Sequence, residues 1–378
     1  MMLRVLCILA AYRPRAFCGS FGGGEISNRI LLEGLVRKGH QVVVFTLNGG
    51  GYGEFVENGV RVIEIRTEIG IASPLVSRLA FRARLLGKLQ TGFSADIVLT
   101  ATEALGAALV VRDYLSAPLV LFVRAFENFE RPEGLFNRAK QGFKRATLGD
   151  FGPDAVARAD LLLPNSEFMA RYCRERLRGA VDTAVVYPPI DYAMQQTRSG
   201  QSIRTITMVG TSAKKGTELV CRLANIFPEL NFRILGYPGL GAGDCKRSSN
   251  LELVGWCDVQ KEFSEKADLV LVPSVWPEPF GRVALEAVAA GKVVLVSDIG
   301  GLPEAVGYEK TLMVEPDDFP AWRERLEAVL ANPAPFIEVI DKLRPSLSLF
   351  EAGLQVDHLE QALLELVKDR ADVVKGRS

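Results

Sequence analysis

Short runs of apolar, mostly branched residues alternate along the 378-residue chain with longer stretches in which apolar positions recur every three or four residues. The first kind reads as strands and the second as amphipathic helices, and their regular alternation predicts βαβ units with parallel sheets. In the first half the strand-like runs are LRVLCILAA (3–11), QVVVFT (41–46), VRVIEI (60–65), ADIVLT (95–100), LVLFV (119–123) and DLLLPN (160–165). In the second half they are TITMVG (205–210), NFRILG (231–236), LELVGW (251–256), ADLVLVPS (267–274) and VVLVSD (293–298). The runs are continuous rather than alternating, as strands covered by helices on both faces must be.

Between the two series lies VVYPPIDYAMQQTRSGQS, two prolines followed by a polar run, which reads as an interdomain connection. The expected organisation is therefore an α/β domain over 1–187, a linker over 188–202, a second α/β domain over 203–345, and a terminal segment over 346–378. That last segment carries Leu354, Val356, Leu359, Leu363 and Leu366 on one helical face, so a long amphipathic helix is expected from about Phe350 to Arg370. Two domains and an appendage also fit the length.

Composition narrows the class. Hydrophobic residues make up 48%, charged residues 24%, and 45 basic residues balance 45 acidic ones, which describes a globular chain and argues against disorder and against a protein that coats nucleic acid. The six cysteines (Cys7, Cys18, Cys173, Cys221, Cys245, Cys257) are scattered singly with no CxxC pair, and reduced thiols in a cytoplasmic setting are the expectation. The apolar N-terminal run leads straight into a glycine-rich loop and helix, which favours a first buried strand over a signal peptide; no stretch is long enough to span a membrane.

Two segments carry candidate chemistry. The first is CGSFGGGE, in which Gly22 and Gly23 precede a helix and leave its N-terminal amides open to a phosphate. The GxGxxG spacing of a dinucleotide site is not kept, and the second strand ends VVVFTLNGG without the acid that would hold a ribose; a plain tight turn is the other reading. The second segment, 273–304, is PSVWPEPFGRVALEAVAAGKVVLVSDIGGLPE. Here a strand leads to a turn at Trp276–Pro279, and Gly281 opens a helix. Glu278 lies in the loop and Glu286 eight positions later, two turns into the helix. The helix start can face a diphosphate while the flanking carboxylates accept hydrogen bonds from sugar hydroxyls.

The second segment resembles the E-x7-E signature of retaining GT-B glycosyltransferases of the GT4 family. KKG at Lys214–Gly216, the GGGE loop, GHQV at Gly39–Val42 and ADLLLPNSEF at 159–168 extend the resemblance over both halves in the family's order. It implies two Rossmann-like, doubly wound parallel-sheet domains facing across a cleft, with the C-terminal helix crossing back onto the N-terminal domain. It also implies transfer of a sugar from a UDP- or GDP-sugar to a saccharide or lipid-linked acceptor, in cell-envelope or exopolysaccharide assembly. Carried over, Glu286 would hold the nucleotide ribose, and Glu278 with Phe280 and Gly281 the donor sugar and phosphate. Lys215 would neutralise the diphosphate, Gly22 and Gly23 would shape the loop beneath it, and Trp256 lies in the 255–258 stretch expected to face the base.

This chain departs from that pattern in two places. The arginine usual before KG is absent, so Thr211 and Ser212 offer only neutral donors, and Lys214 or Arg282 must take over part of the charge. The histidine many relatives carry after the fifth strand is replaced by Arg124, which either contacts substrate or pairs with Glu127 or Glu130. His40 and His358 are expected to be structural or at the surface. A reaction on the front face of the sugar needs no protein base, only stabilisation of the leaving diphosphate. No Asp-x-Asp lies in a site context, so neither metal nor other cofactor is expected. The alternatives are a catalytically silent nucleotide-binding subunit and a sugar-nucleotide epimerase of the same fold.

Two basic stretches bear on location. Arg78, Arg82, Arg84 and Lys88, and then Arg138, Lys140, Lys144 and Arg145, are interleaved with apolar residues. Near an anionic leaflet each basic residue contributes about 1 kcal/mol, enough together to hold the protein peripherally on a membrane; ordinary solvated helix faces are the alternative.

Overall fold

The computed structural model describes residues 1–13, 22–46, 53–65, 83–129, 152–190, 202–236 and 248–375. They form two compact units, Met1–Pro189 together with Ala352–Ser378, and Ile190–Glu351. Of the expected linker, 191–201 lies outside the described residues.

The first unit is built on a seven-stranded sheet in the order β3-β4-β2-β1-β5-β6-β7. Its strands are β1 (Arg4–Leu9), β2 (Gln41–Thr46), β3 (Glu54–Glu57), β4 (Val60–Glu64), β5 (Ile97–Ala101), β6 (Leu119–Val123) and β7 (Leu161–Pro164). All neighbours are parallel except β3 with β4. Alternate residues of β1 feed opposite cores: Leu6 and Ile8 meet helices α2 (Leu105–Leu115) and α3 (Glu167–Leu177), whereas Val5, Cys7 and Leu9 meet α1 (Gly23–Arg37). Two buried faces explain the continuous apolar runs.

The antiparallel edge strand β3 is absent from the sequence expectations. Its residues, EFVE, are half exposed, so no apolar run marks them. The signal that was available is the turn: Asn58 and Gly59 both take positive φ, 47° and 80°, as a two-residue hairpin loop of Asn-Gly type requires.

The second unit has a six-stranded parallel sheet in the order β10-β9-β8-β11-β12-β13. Its strands are β8 (Thr205–Val209), β9 (Asn231–Leu235), β10 (Leu251–Leu253), β11 (Leu269–Val272), β12 (Val293–Ser297) and β13 (Met313–Val314). Two residues are too few to show a period, so β13 is not legible in the sequence. Helices α4 (Thr217–Ile226), α5 (Val259–Glu265), α6 (Arg282–Ala289), α7 (Phe319–Ala331) and α8 (Ala334–Leu343) accompany the sheet.

The last helix, α9 (Ala352–Lys375), belongs to the first unit, as a crossing-back helix should. It lies against α1 so closely that a Cβ on Gly34 would sit 2.2 Å from Val356 Cγ2. Lys38 reaches Asp357 and Glu360, each at 2.6 Å, and His40 Nε2 meets Glu360 Oε1 at 2.9 Å. Leu3 N–H donates to His40 Nδ1 at 3.0 Å, so Nε2 carries the proton toward Glu360, and the buried His40 is a structural tie. His358 is half-buried on the same helix. The terminal segment begins later than position 346. The 3-10 stretch Arg344–Phe350 stays with the second unit because it buries Leu347 and Phe350, the latter 5.6 Å from the Phe280 ring.

Cys7, Cys173 and Cys257 are free thiols, but Cys221 is disulfide-bonded, which corrects the expectation of uniformly reduced cysteines. Singly spaced cysteines carry no local pairing signal, so spacing alone does not disclose a bridge.

Candidate functional site

In the second unit the chain runs outward from β8 to β9 on one side and from β11 to β12 on the other. Adjacent strands β8 and β11 therefore mark the topological switch point, where the following loops diverge and leave a crevice at the carboxyl edge of the sheet. Those loops are 210–216 and 273–281, the two segments singled out by sequence.

Glycine makes their approach possible. Gly216 takes φ +80°, and a Cβ there would fall 2.0 Å from Pro273 O. Val275 N–H donates to Lys214 O at 2.9 Å, a further cross-link between the loops. With the backbones in contact, Lys215 Nζ reaches Glu278 Oε1 at 2.8 Å. The same oxygen accepts a short hydrogen bond from Ser274 Oγ. Ser274 and Glu278 are both buried, while Lys215 is half-buried. The buried pair is joined by charge-assisted contact, and removing one partner leaves the other buried without compensation.

Glu278 is also braced from β12. Gly301 N–H donates to Glu278 O at 2.7 Å, and a Cβ on Gly300 would meet both Glu278 N and O at 2.6 Å. Ser274, Gly300 and Gly301 are site residues that the sequence reading missed. The glycine pair in the turn after a buried strand was the available signal, since glycines there indicate close backbone approach.

Helix α6 starts from Gly281, φ 121°, which offers its first-turn amides no side-chain cap. A Cβ on Gly281 would lie 2.6 Å from Leu302 Cδ2, and Phe280 is buried beside it. From the first residue of α6, Arg282 Nε donates to Oε1 of Glu286, one turn along the helix, at 2.6 Å. Burial pushes the Glu286 carboxyl up, and the Arg282 guanidinium opposes this. Thr211 is half-buried in the first loop, and Lys214 is exposed with its ammonium 5.1 Å from the centroid of the Trp276 ring. Trp256, 55% exposed, follows edge strand β10 just before Asp258, which caps α5 by accepting from Gln260 N and Lys261 N at 3.0 and 3.2 Å.

The structure thus gathers Thr211, Lys214, Lys215, Glu278, Phe280, Gly281, Arg282 and Glu286 along one sheet edge of the second unit. Gly22, Gly23 and Arg124 belong to the first unit. Gly22 caps α1 in extended conformation, φ −83°, and Gly23 is its first residue; both are exposed. Arg124, at the end of β6, donates to Asn28 Oδ1 at 3.2 Å and to Val186 O at 2.7 Å, with its guanidinium 4.8 Å from the Phe122 centroid. Glu127, one partner the sequence offered it, accepts from Thr102 Oγ1 at 3.1 Å; Glu130 lies outside the described residues.

Of the basic stretches, only Arg84 and Lys88 are described. Both are exposed on a helical segment, 83–89, whose Leu85 and Leu89 are buried in the core. Arg78, Arg82, Arg138, Lys140, Lys144 and Arg145 lie outside the described residues. Among the described residues, no helix is long and apolar enough to cross a membrane.

Two protein-family descriptions match adjoining parts of the chain: "Glycosyl transferase 4-like domain" over residues 22–189 and "Glycosyl transferases group 1" over 193–344. A D-inositol 3-phosphate glycosyltransferase of Nocardioides sp. is 28% identical over 255 residues, 67% of this chain and 50% of that protein. The chain matches half or less of the length of the first curated relatives. Among solved structures, sucrose-phosphate synthase from Thermosynechococcus elongatus superimposes with a TM-score of 0.79 at 18% identity, covering 97% of this chain and 100% of that one. HepE of Anabaena, solved with UDP and glucose, gives a TM-score of 0.72 at 15% identity over 96% and 100% of the two chains. At these identities the structures establish a shared fold.

Proposed function

The chain belongs to the GT4-type GT-B glycosyltransferases, and on that premise we propose that it transfers a hexosyl group from a UDP- or GDP-sugar to a saccharide or lipid-linked saccharide, with retention at the anomeric carbon and without a metal ion. The observation that carries this reading is the buried Ser274–Glu278–Lys215 cluster beside the uncapped start of α6, at the switch point of the second unit. A buried carboxylate suits sugar hydroxyls, which donate to it, while a lysine and the positive end of a helix suit phosphate.

In the proposed reaction the bond from the anomeric carbon to the β-phosphate oxygen breaks as the acceptor oxygen bonds the same face of the sugar. The departing phosphate oxygen takes the acceptor's proton, so no protein base is needed. The protein stabilises the charge gathering on the diphosphate through Lys215, Lys214 and the amides at 281–283, and orients the sugar through Glu278. Glu286, held by Arg282, is placed to accept from the ribose. Trp256 lies in the stretch assigned to the base. Gly22 and Gly23 are assigned to the loop beneath the donor phosphates, and Arg124 to the donor sugar or an acceptor phosphate. That HepE was solved with UDP and glucose supports a uridine donor as the first to test.

Membrane attachment, if it serves a lipid-linked acceptor in envelope or exopolysaccharide assembly, is electrostatic at Arg84 and Lys88, because their leucine neighbours are committed to the core. Equal recovery on neutral and anionic vesicles in a flotation assay overturns attachment.

The deciding experiment is release of nucleoside diphosphate from UDP- and GDP-sugars in EDTA and again in magnesium, with the anomeric configuration of the product read by NMR. Turnover in EDTA giving the donor's configuration is expected. Binding of a nucleotide without turnover of any sugar donor points instead to a silent subunit, and an inverted product overturns retention.

A further inference from the structure

Loops 210–216 and 273–281, with the first turns of α6, carry three cations: Lys214, Lys215 and Arg282. Two are already matched by buried carboxylates, Lys215 by Glu278 at 2.8 Å and Arg282 by Glu286 at 2.6 Å. Each of these two cations is offset by its carboxylate at longer range and acts on a diphosphate through direct contact. The third, Lys214, meets an aromatic face in place of a carboxylate. Its ammonium stands 5.1 Å from the Trp276 centroid, within cation–π range, while its backbone carbonyl accepts from Val275 N–H at 2.9 Å. Trp276 is half-buried and Lys214 exposed, so the ring is partly packed into the loop while the lysine remains open to solvent beside the switch-point crevice.

From this geometry we infer that Trp276 is a positioning residue for the donor diphosphate: its indole holds Lys214 as the uncompensated positive charge of the site. The inference rests on the donor reading above and adds to it the residue that organises the second lysine. The physical reason is entropy. A free lysine carries large rotamer freedom that must be lost when it binds phosphate, and a ring that already restricts it lowers that cost. A carboxylate in the place of the ring would hold Lys214 equally well but cancel its charge; an indole restrains the ammonium without neutralising it.

The test is calorimetric binding of UDP, GDP and uridine to the full chain as wild type, Lys214→Met, Trp276→Phe, Trp276→Leu and the Lys214→Met/Trp276→Leu double variant, with a thermal melt on each. Lys214→Met is expected to weaken the diphosphate that binds by about tenfold and to reduce the salt dependence of Kd. Trp276→Leu is expected to weaken it by about two- to fivefold, and Trp276→Phe, which keeps an aromatic face, to recover most of that loss. The double variant should bind no worse than Lys214→Met alone, since the ring acts only through the lysine. Losses that add, a Phe variant as weak as Leu, or Lys214→Met binding as wild type each overturn the inference while leaving the donor site standing. If wild type binds neither UDP nor GDP, the donor reading falls and this inference with it. Should Trp276→Leu fail to fold, Trp276→Met takes its place in the cycle and the same outcomes decide it.

Discussion

Gly216→Ala isolates the contact on which the candidate site depends. Gly216 holds φ +80°, where an added Cβ brings about 1 kcal/mol of backbone strain, and that Cβ would sit 2.0 Å from Pro273 O. Real Cβ contacts essentially never fall under 3.0 Å, so loop 210–216 must retreat from β11 by at least 1 Å. The obstacle is backbone, not a flexible side-chain tip, and overpacking of this kind costs about 1–3 kcal/mol more. The same retreat carries Lys215 away from Glu278, now 2.8 Å apart, and an ångström of misplacement at a reacting centre costs about 100-fold in rate. The matched control is Gly39→Ala, at φ +91° but with nothing within 4 Å of the new Cβ. It should lower the melting midpoint by about 2–4 °C and leave nucleotide binding and turnover intact. Gly216→Ala should melt lower than the control and lose about 100-fold in kcat/KM for the sugar donor, measured by nucleoside diphosphate release. If the two variants melt alike and turn over alike, the approach of the two loops does not organise the site.

Removing either member of the buried pair should be severe. Glu278→Gln and Lys215→Met are each expected to reduce kcat/KM by at least about 100-fold, and Ser274→Ala, which removes one donor and leaves the ion pair, by about tenfold, in the same release assay. Docking of α9 on α1 should respond to space: Gly34→Ala drives a Cβ to 2.2 Å from Val356 and should lower the melting midpoint, and adding Val356→Ala should recover most of the loss. Acid should destabilise the first unit. The side-chain bond from Arg4 holds Asp96 below its usual range, and the Lys38 ammonium, with His40 behind it, does the same for Glu360. A depressed folded value means the stabilisation is complete above the unfolded values near 3.8 and 4.5 and is lost as pH falls through the folded ones. The melting midpoint should therefore hold from neutrality to about pH 5 and drop below pH 4, with a shallower drop in Asp96→Asn and Glu360→Gln.

Much of this was legible in one dimension because the responsible forces are local or periodic. Strands such as QVVVFT and LVLFV are read off as they stand, since burial on both faces demands an unbroken apolar run and covering helices then demand a 3.6-residue period. Glu278, Lys215 and the glycine before α6 were recognisable as well, because each lies in the loop that follows such a strand. Strand β3, two residues of β13 and the disulfide at Cys221 were hidden, the first two for want of an apolar pattern and the last because single cysteines carry no pairing signal in their spacing.

Partnership between side chains was decided only in three dimensions. Nothing in VGTSAKKG says which lysine meets a carboxylate and which an indole. That choice follows from β8 lying next to β11 and from Gly216 resting on Pro273, which turns Lys215 toward Glu278 and leaves Lys214 over Trp276. Likewise Arg282 was a candidate phosphate ligand in sequence, and the i,i+4 geometry of α6 commits it to Glu286. The sequence by itself determined which residue types stand at the ends of the buried strands, because burial selects them one position at a time. The order of strands in the sheet decided which of those residues meet, because contacts between loops far apart in the chain exist only once the sheet has formed.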